Sequence, residues 1–180
     1  MGDLVEDPSS GERGLVLERR DGLIWGEFVI APGGAGPPVH IHAFSPEALH
    51  VVSGEMSAIV GDEHLEVGPG ESVFVPPGTP HTWFNAGDTA AVSRAPLEEK
   101  YGTSETLVLC ISQLWQMQND PTFVESRNML FQISLMAPYC DIWDADAPIW
   151  AQRAAFYLIA PTARLLGYRS AYREYVLHPL

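Results

Sequence analysis

The sequence predicts a mainly β fold: one small antiparallel barrel or double-sheet jelly roll, followed by an extension of about three helices. Three observations carry this expectation. First, the chain has 180 residues, of which 46 % are hydrophobic, enough for one domain with a real core. Second, short apolar runs up to Leu97 are divided by Asp21-Gly22, Ser53-Gly54, Gly61-Asp62, Gly68-Pro69-Gly70, Pro77-Gly78 and Gly87-Asp88. Frequent, evenly spaced corners of this kind belong to closed or two-layered antiparallel sheets. Third, after Pro96 the apolar spacing lengthens to that of helices.

Taken in order, residues 1–14 carry Asp3, Glu6, Asp7 and Glu12 with little apolar content, and are expected to form a loose acidic tail. Residues 15–97 are expected to form the barrel. Strands are expected over 15–17 and 23–30, joined by a tight turn at Asp21-Gly22. After a glycine- and proline-rich loop over 33–38, further strands are expected over 39–42, 48–53, 56–60, 64–67, 73–76, 82–84 and 90–94.

Residues 98–180 form the expected extension. Leu107, Cys110, Ile111, Leu114 and Trp115 recur at helical spacing between Ser104 and Gln118. Asp120-Pro121 begins a second helix, continued by Phe123, Arg127, Leu130, Phe131 and Leu135 and stopped by Pro138. Residues 140–148 read as acidic and irregular. A third helix is expected over 149–166, ended by Gly167 and kinked or split by Pro161. These segments are too apolar for free tails, so they must pack on the barrel, on each other or on a second subunit. A homodimer is expected. Arg153, Arg164, Arg169 and Arg173 make a local basic bias, either a solvated face or a partner for the acidic barrel.

A formal net charge of −13, from 10 basic and 23 acidic residues, repels phosphate backbones and anionic bilayers alike. Neither nucleic acid nor membrane is an expected partner. No leader pattern opens the chain, and the sequence predicts a cytoplasmic protein. Cys110 and Cys140 form no CxxC and are expected to be reduced apolar core residues.

Chemistry concentrates in two glycine-bounded stretches, Gly34 to Gly54 and Gly70 to Asn85. They hold His40, His42, Glu47 and His81. His40 and His42 are two apart, so they share one face of a strand. His81, Trp83 and Asn85 share another face, as do Glu47, Leu49 and Val51, leaving His50 on the opposite side. A lone strand histidine is ordinarily a hydrogen-bonded structural residue. Four convergent candidates instead suit one transition metal, because imidazole and carboxylate are its natural donors. The alternative is a polar cluster satisfied internally. His64 and His178 read as surface residues.

The same stretches resemble the paired motifs of the cupin superfamily. Gly34, His40, His42, Glu47 and Gly54 occupy the fixed positions of its first motif. Gly70, Pro76, Gly78, His81 and Asn85 occupy those of its second. The resemblance implies a small barrel that holds one divalent ion on His40, His42, Glu47 and His81. The tract after Pro96 is similar to the helical extension of a bacterial cupin subgroup.

Four protein ligands leave coordination positions open for water, dioxygen or a substrate oxygen. With Glu47 ionised the site keeps a charge near +1, which favours an anionic substrate group. The expected wall is Phe28, Leu49, Val51, Met56 and Trp83, with Phe44 near the mouth, suited to an aromatic or polyketide-like small molecule. The leading expectation is an oxygenase using Fe(II); Mn, Ni, Zn or Cu are the other candidate ions. A Lewis-acid cyclase or isomerase and a non-catalytic small-molecule-binding protein are the rivals. Gly33-Gly34-Ala35-Gly36 lacks the Lys-Ser/Thr of a phosphate loop, so no nucleotide cofactor is implied.

Overall fold

The computed structural model describes residues 4–6, 12–20, 23–95, 110, 113–117, 119–126 and 128–170. Among them, eleven strands form two antiparallel sheets. The strands are β1 (Leu4–Glu6), β2 (Arg13–Arg20), β3 (Leu23–Ile30), β4 (His40–Ile41), β5 (Glu47–Ser53), β6 (Met56–Val60), β7 (Glu63–Val67), β8 (Ser72–Val75), β9 (His81–Phe84), β10 (Ala91–Ala95) and β11 (Trp143–Asp144). One sheet has the order β1-β2-β3-β10-β5-β8, the other β11-β4-β9-β6-β7. From β3 onward the barrel chain passes back and forth between the two layers, as a jelly roll requires.

Alternation fills the space between the layers. Ile30, Leu49, Val51, Val73, Val75 and Ala91 from the first sheet meet Met56, Ala58, Val67 and Trp83 from the second in one buried cluster. Each large aliphatic side chain there contributes about 1.5–3 kcal/mol relative to exposure. Gly54 turns the chain from β5 into β6 at φ 73°, and a Cβ there would lie 2.5 Å from the Ala90 carbonyl oxygen. Both facts demand glycine.

The strand segments expected from sequence reappear with small shifts at their ends. The Asp21-Gly22 turn lies outside the described residues, although Arg20 pairs with Leu23 on either side of it. Pairing starts earlier than expected: β1, within the stretch read as a loose tail, runs antiparallel to β2 with Leu4 opposite Leu15. The backbone groups along the edge of β2 are enough to recruit it.

The extension holds helix α1, described through residues 113–117, then α2 (Pro121–Ser126), α3 (Met129–Cys140) and α4 (Ile149–Leu165). The expected second helix is therefore two. Asp120 opens α2, its carboxylate accepting from the Thr122 N–H at 2.9 Å. Asn128 opens α3 by accepting from the Leu130 N–H, also at 2.9 Å. Pro138 does not stop α3, which runs on to Cys140, and Pro161 does not split α4. Pro161 removes the N–H that would bond the Tyr157 carbonyl, on a strongly exposed turn of the helix where water can take its place. Gly167 follows α4 at φ 84°, as a helix terminator should.

Helices α3 and α4 pack through Leu135, Ala160, Ala163 and Tyr168, with Phe131 alongside. Cys110, Met117, Phe123, Met136 and Cys140 make a further apolar cluster. Cys110 and Cys140 are core residues as expected, but they are bonded to each other in a disulfide rather than reduced. No helix among the described residues is long and apolar enough to cross a membrane. The irregular stretch after α3 contains β11, which pairs with β4: Trp143 faces Ile41 and Asp144 faces His40. The extension thus adds a strand to the sheet that carries the histidines.

Candidate metal centre

The four polar residues singled out from sequence meet inside the barrel. β4 supplies His40, the turn after it His42, β5 Glu47 and β9 His81. His40 and His81 are direct cross-strand partners. All four residues are buried, and one ligand atom from each lies within 4.8 Å of the others.

Each imidazole is held from behind. Its Nδ1–H donates to a backbone carbonyl: His40 to Pro38 at 2.9 Å, His42 to Asp141 at 2.8 Å, His81 to Thr79 at 2.9 Å. A carbonyl oxygen only accepts, so Nδ1 carries a proton, and each ring, once Nε2 is deprotonated, can offer a lone pair there to a cation. The Nε2 atoms of His42 and His81 lie 3.0 and 2.9 Å from Glu47 Oε2, and that of His40 lies 3.9 Å away. At these distances the Nε2 atoms of His42 and His81 hydrogen-bond Glu47 Oε2, contacts that a bound cation would replace. The donor set therefore fits a cation, with outer contacts that orient every imidazole for it.

Electrostatics point the same way. Burial pushes the Glu47 carboxyl up, but hydrogen bonds from His42 and His81 outweigh it and hold the group below the usual carboxylate range. Burial likewise lowers His42, and its hydrogen bond and charge interaction with Glu47 reverse the sign, leaving it raised. Burial dominates at His40 and drives it down to about 4. Glu47 is thus a carboxylate and His40 a neutral donor at neutral pH.

The expected wall divides. Leu49, Val51, Met56 and Trp83 share the buried core cluster. Trp83 stands next to the ligands, its ring centroid 5.6 Å from His81 and 6.0 Å from His40. Its indole Nε1 is buried with no hydrogen-bond partner. Phe28 is half-buried, and its ring lies with that of Trp115 over Gly14. Phe44 is 70 % exposed, with the Arg153 guanidinium 5.7 Å from its ring centroid. His50 points away from the ligands to the Ser72 hydroxyl at 3.0 Å, and His64 is exposed, both as expected. His178 lies outside the described residues. Asn85 ties strand ends together, donating to the Ile30 and Thr89 carbonyls at 3.0 and 2.8 Å.

Asp141 was not singled out by its sequence context, yet it touches the site. Its carbonyl holds His42, and its carboxylate accepts from the backbone N–H groups of Ala43, Phe44 and Ser45 at 3.0, 2.7 and 3.0 Å. No short-range pattern links residues so far apart in the chain.

Residues 26–93, which contain all four ligand candidates, match the cupin domain family. The likeness to the cupin domain extends over those residues. Germin-like protein 3-8 of Oryza sativa subsp. japonica is 37 % identical to it over 75 residues, 39 % of this chain. The match takes in 33 % of that protein, so this chain spans about a third of that relative's length. Among solved structures, a sugar phosphate isomerase of the superfamily from Silicibacter pomeroyi aligns at 20 % identity with a TM-score of 0.44, over 47 % of this chain and 57 % of its own. A predicted oxalate decarboxylase from Thermotoga maritima aligns at 15 % identity with a TM-score of 0.46, over 52 % and 88 %.

Proposed function

We propose that this protein is a metal-dependent oxygenase acting on an aromatic or unsaturated small molecule, with Fe(II) held by His40, His42, Glu47 and His81. One observation carries the reading: three imidazoles with Nδ1 locked on carbonyls turn their Nε2 atoms toward one carboxylate oxygen in a buried, largely apolar interior. When bound, a redox-active divalent ion supplies Lewis acidity and a meeting point for dioxygen and substrate.

The protein's own residues supply the rest. Glu47, kept ionised, leaves a divalent site with a charge near +1, which attracts an enolate, phenolate or carboxylate. The apolar wall of Leu49, Val51 and Met56 excludes water and strengthens that attraction. Trp83 offers a flat apolar face beside the ligands and an N–H with no protein acceptor, suited to a substrate oxygen.

The test is dioxygen consumption by the iron-loaded protein with catechols, β-diketones and flavonoid-like compounds. Uptake coupled to substrate loss, abolished when Zn(II) replaces iron, supports the oxygenase. Turnover retained with Zn(II) and no oxygen uptake would replace it with a Lewis-acid isomerase or cyclase. Tight binding with the ligand recovered unchanged would make the protein a binding module.

A further inference from the structure

We propose that Asp141, a residue of the helical extension, is a positioning residue of the metal centre; the proposal rests on the reading of that centre as a cation site. Asp141 caps the end of α3 in the left-handed conformation, at φ 56° and ψ 36°, with its own N–H on the Ala137 carbonyl. Among the described residues it is the non-glycine residue with positive φ. Asp is one of the few residues that tolerates this conformation.

That conformation lets one residue work in two directions. Its carbonyl oxygen takes the Nδ1–H of His42, which fixes both the tautomer and the rotation of a ligand ring. Its carboxylate grips the connection between two ligands. Oδ1 accepts from the Ala43 N–H and Oδ2 from those of Phe44 and Ser45. These three residues lie between His42 and Glu47. A fourth donor, the Trp143 indole N–H, meets Oδ1 at 3.0 Å and ties the carboxylate to β11, beside β4. Four N–H groups converging on one carboxylate make a charge-assisted anchor. The span from His42 to Glu47 is thereby held by the extension as well as by the barrel.

The test uses Asp141→Asn and Asp141→Gly in the full-length protein. Both residues accept positive φ, so neither adds backbone strain, and both lose the double-acceptor carboxylate. Metal affinity is measured by competition against a chromophoric chelator, ligand geometry by the visible spectrum of bound Co(II), and melting is followed without metal. The expected result is a roughly 10- to 100-fold weaker affinity with an altered Co(II) spectrum in variants that remain folded. In the unsubstituted protein, amide exchange at Ala43, Phe44 and Ser45 should slow when Co(II) is added, a readout that needs no variant. Folded variants with wild-type affinity and spectrum would overturn the role of Asp141 while leaving the metal centre intact, and so would exchange at these amides that ignores the metal. Failure of the unsubstituted protein to take up any transition ion would overturn the centre itself, and with it this role.

Discussion

Glu47 is the residue on which the site's charge depends, because its Oε2 faces three imidazole nitrogens. Glu47→Gln keeps the shape and removes the charge. Metal affinity should fall at least about 100-fold, since loss of an outer partner alone costs 10- to 100-fold; chelator competition reads it directly. Gly36 predicts a steric effect instead. A Cβ at that position would lie 2.4 Å from Trp83 Cδ1, so Gly36→Ala must displace the indole next to the ligands. Urea unfolding should show a loss of about 1–3 kcal/mol, and unchanged stability would mean the ring moves freely. At this scale the ligands were legible in the sequence because a period of two fixes which side chains share a face, and His40, His42, Glu47 and Leu49 obey it. Asp141 was not legible. Its contacts with residues 42–45 span between 96 and 99 positions, and no local pattern encodes a bond of that length.

Among the elements, the barrel strands were readable from glycine and proline corners, and β5 and β9 repeat the expected in-out alternation. The extension was less readable for physical reasons. Apolar spacing alone does not mark the break between α2 and α3, which depends on the side-chain acceptor of Asn128. Strand β11 has two residues and exists because β4 offers it an edge. The disulfide between Cys110 and Cys140 was missed because two isolated cysteines carry no spacing signal. It belongs to oxidising surroundings, and so stands in tension with the expected cytoplasmic location. It closes a loop with a sequence separation of 30, so loop entropy predicts that Cys110→Ser with Cys140→Ser, or reduction, destabilises the protein by about 3–4 kcal/mol. Thermal melts with and without reductant measure this, and coincident curves would show that the bond does not form in solution.

The whole molecule leaves an apolar stripe uncovered. Trp150 and Tyr157, and Leu158 and Leu165, form two pairs along α4, each pair two helical turns apart, and Leu165 is 89 % exposed. We propose that the expected homodimer buries this stripe against a second copy. Sedimentation should therefore give twice the 19.7 kDa chain mass, and Leu158→Glu should shift it toward monomer. A single monomeric species from the unsubstituted protein would refute the dimer. The bond from His42 to a carbonyl 99 residues further along has a consequence for biogenesis. On the ribosome, all four ligand candidates emerge long before the segment that orients the second of them. The contacts that orient His42 for an ion are therefore complete only once the helical extension has been made and folded back.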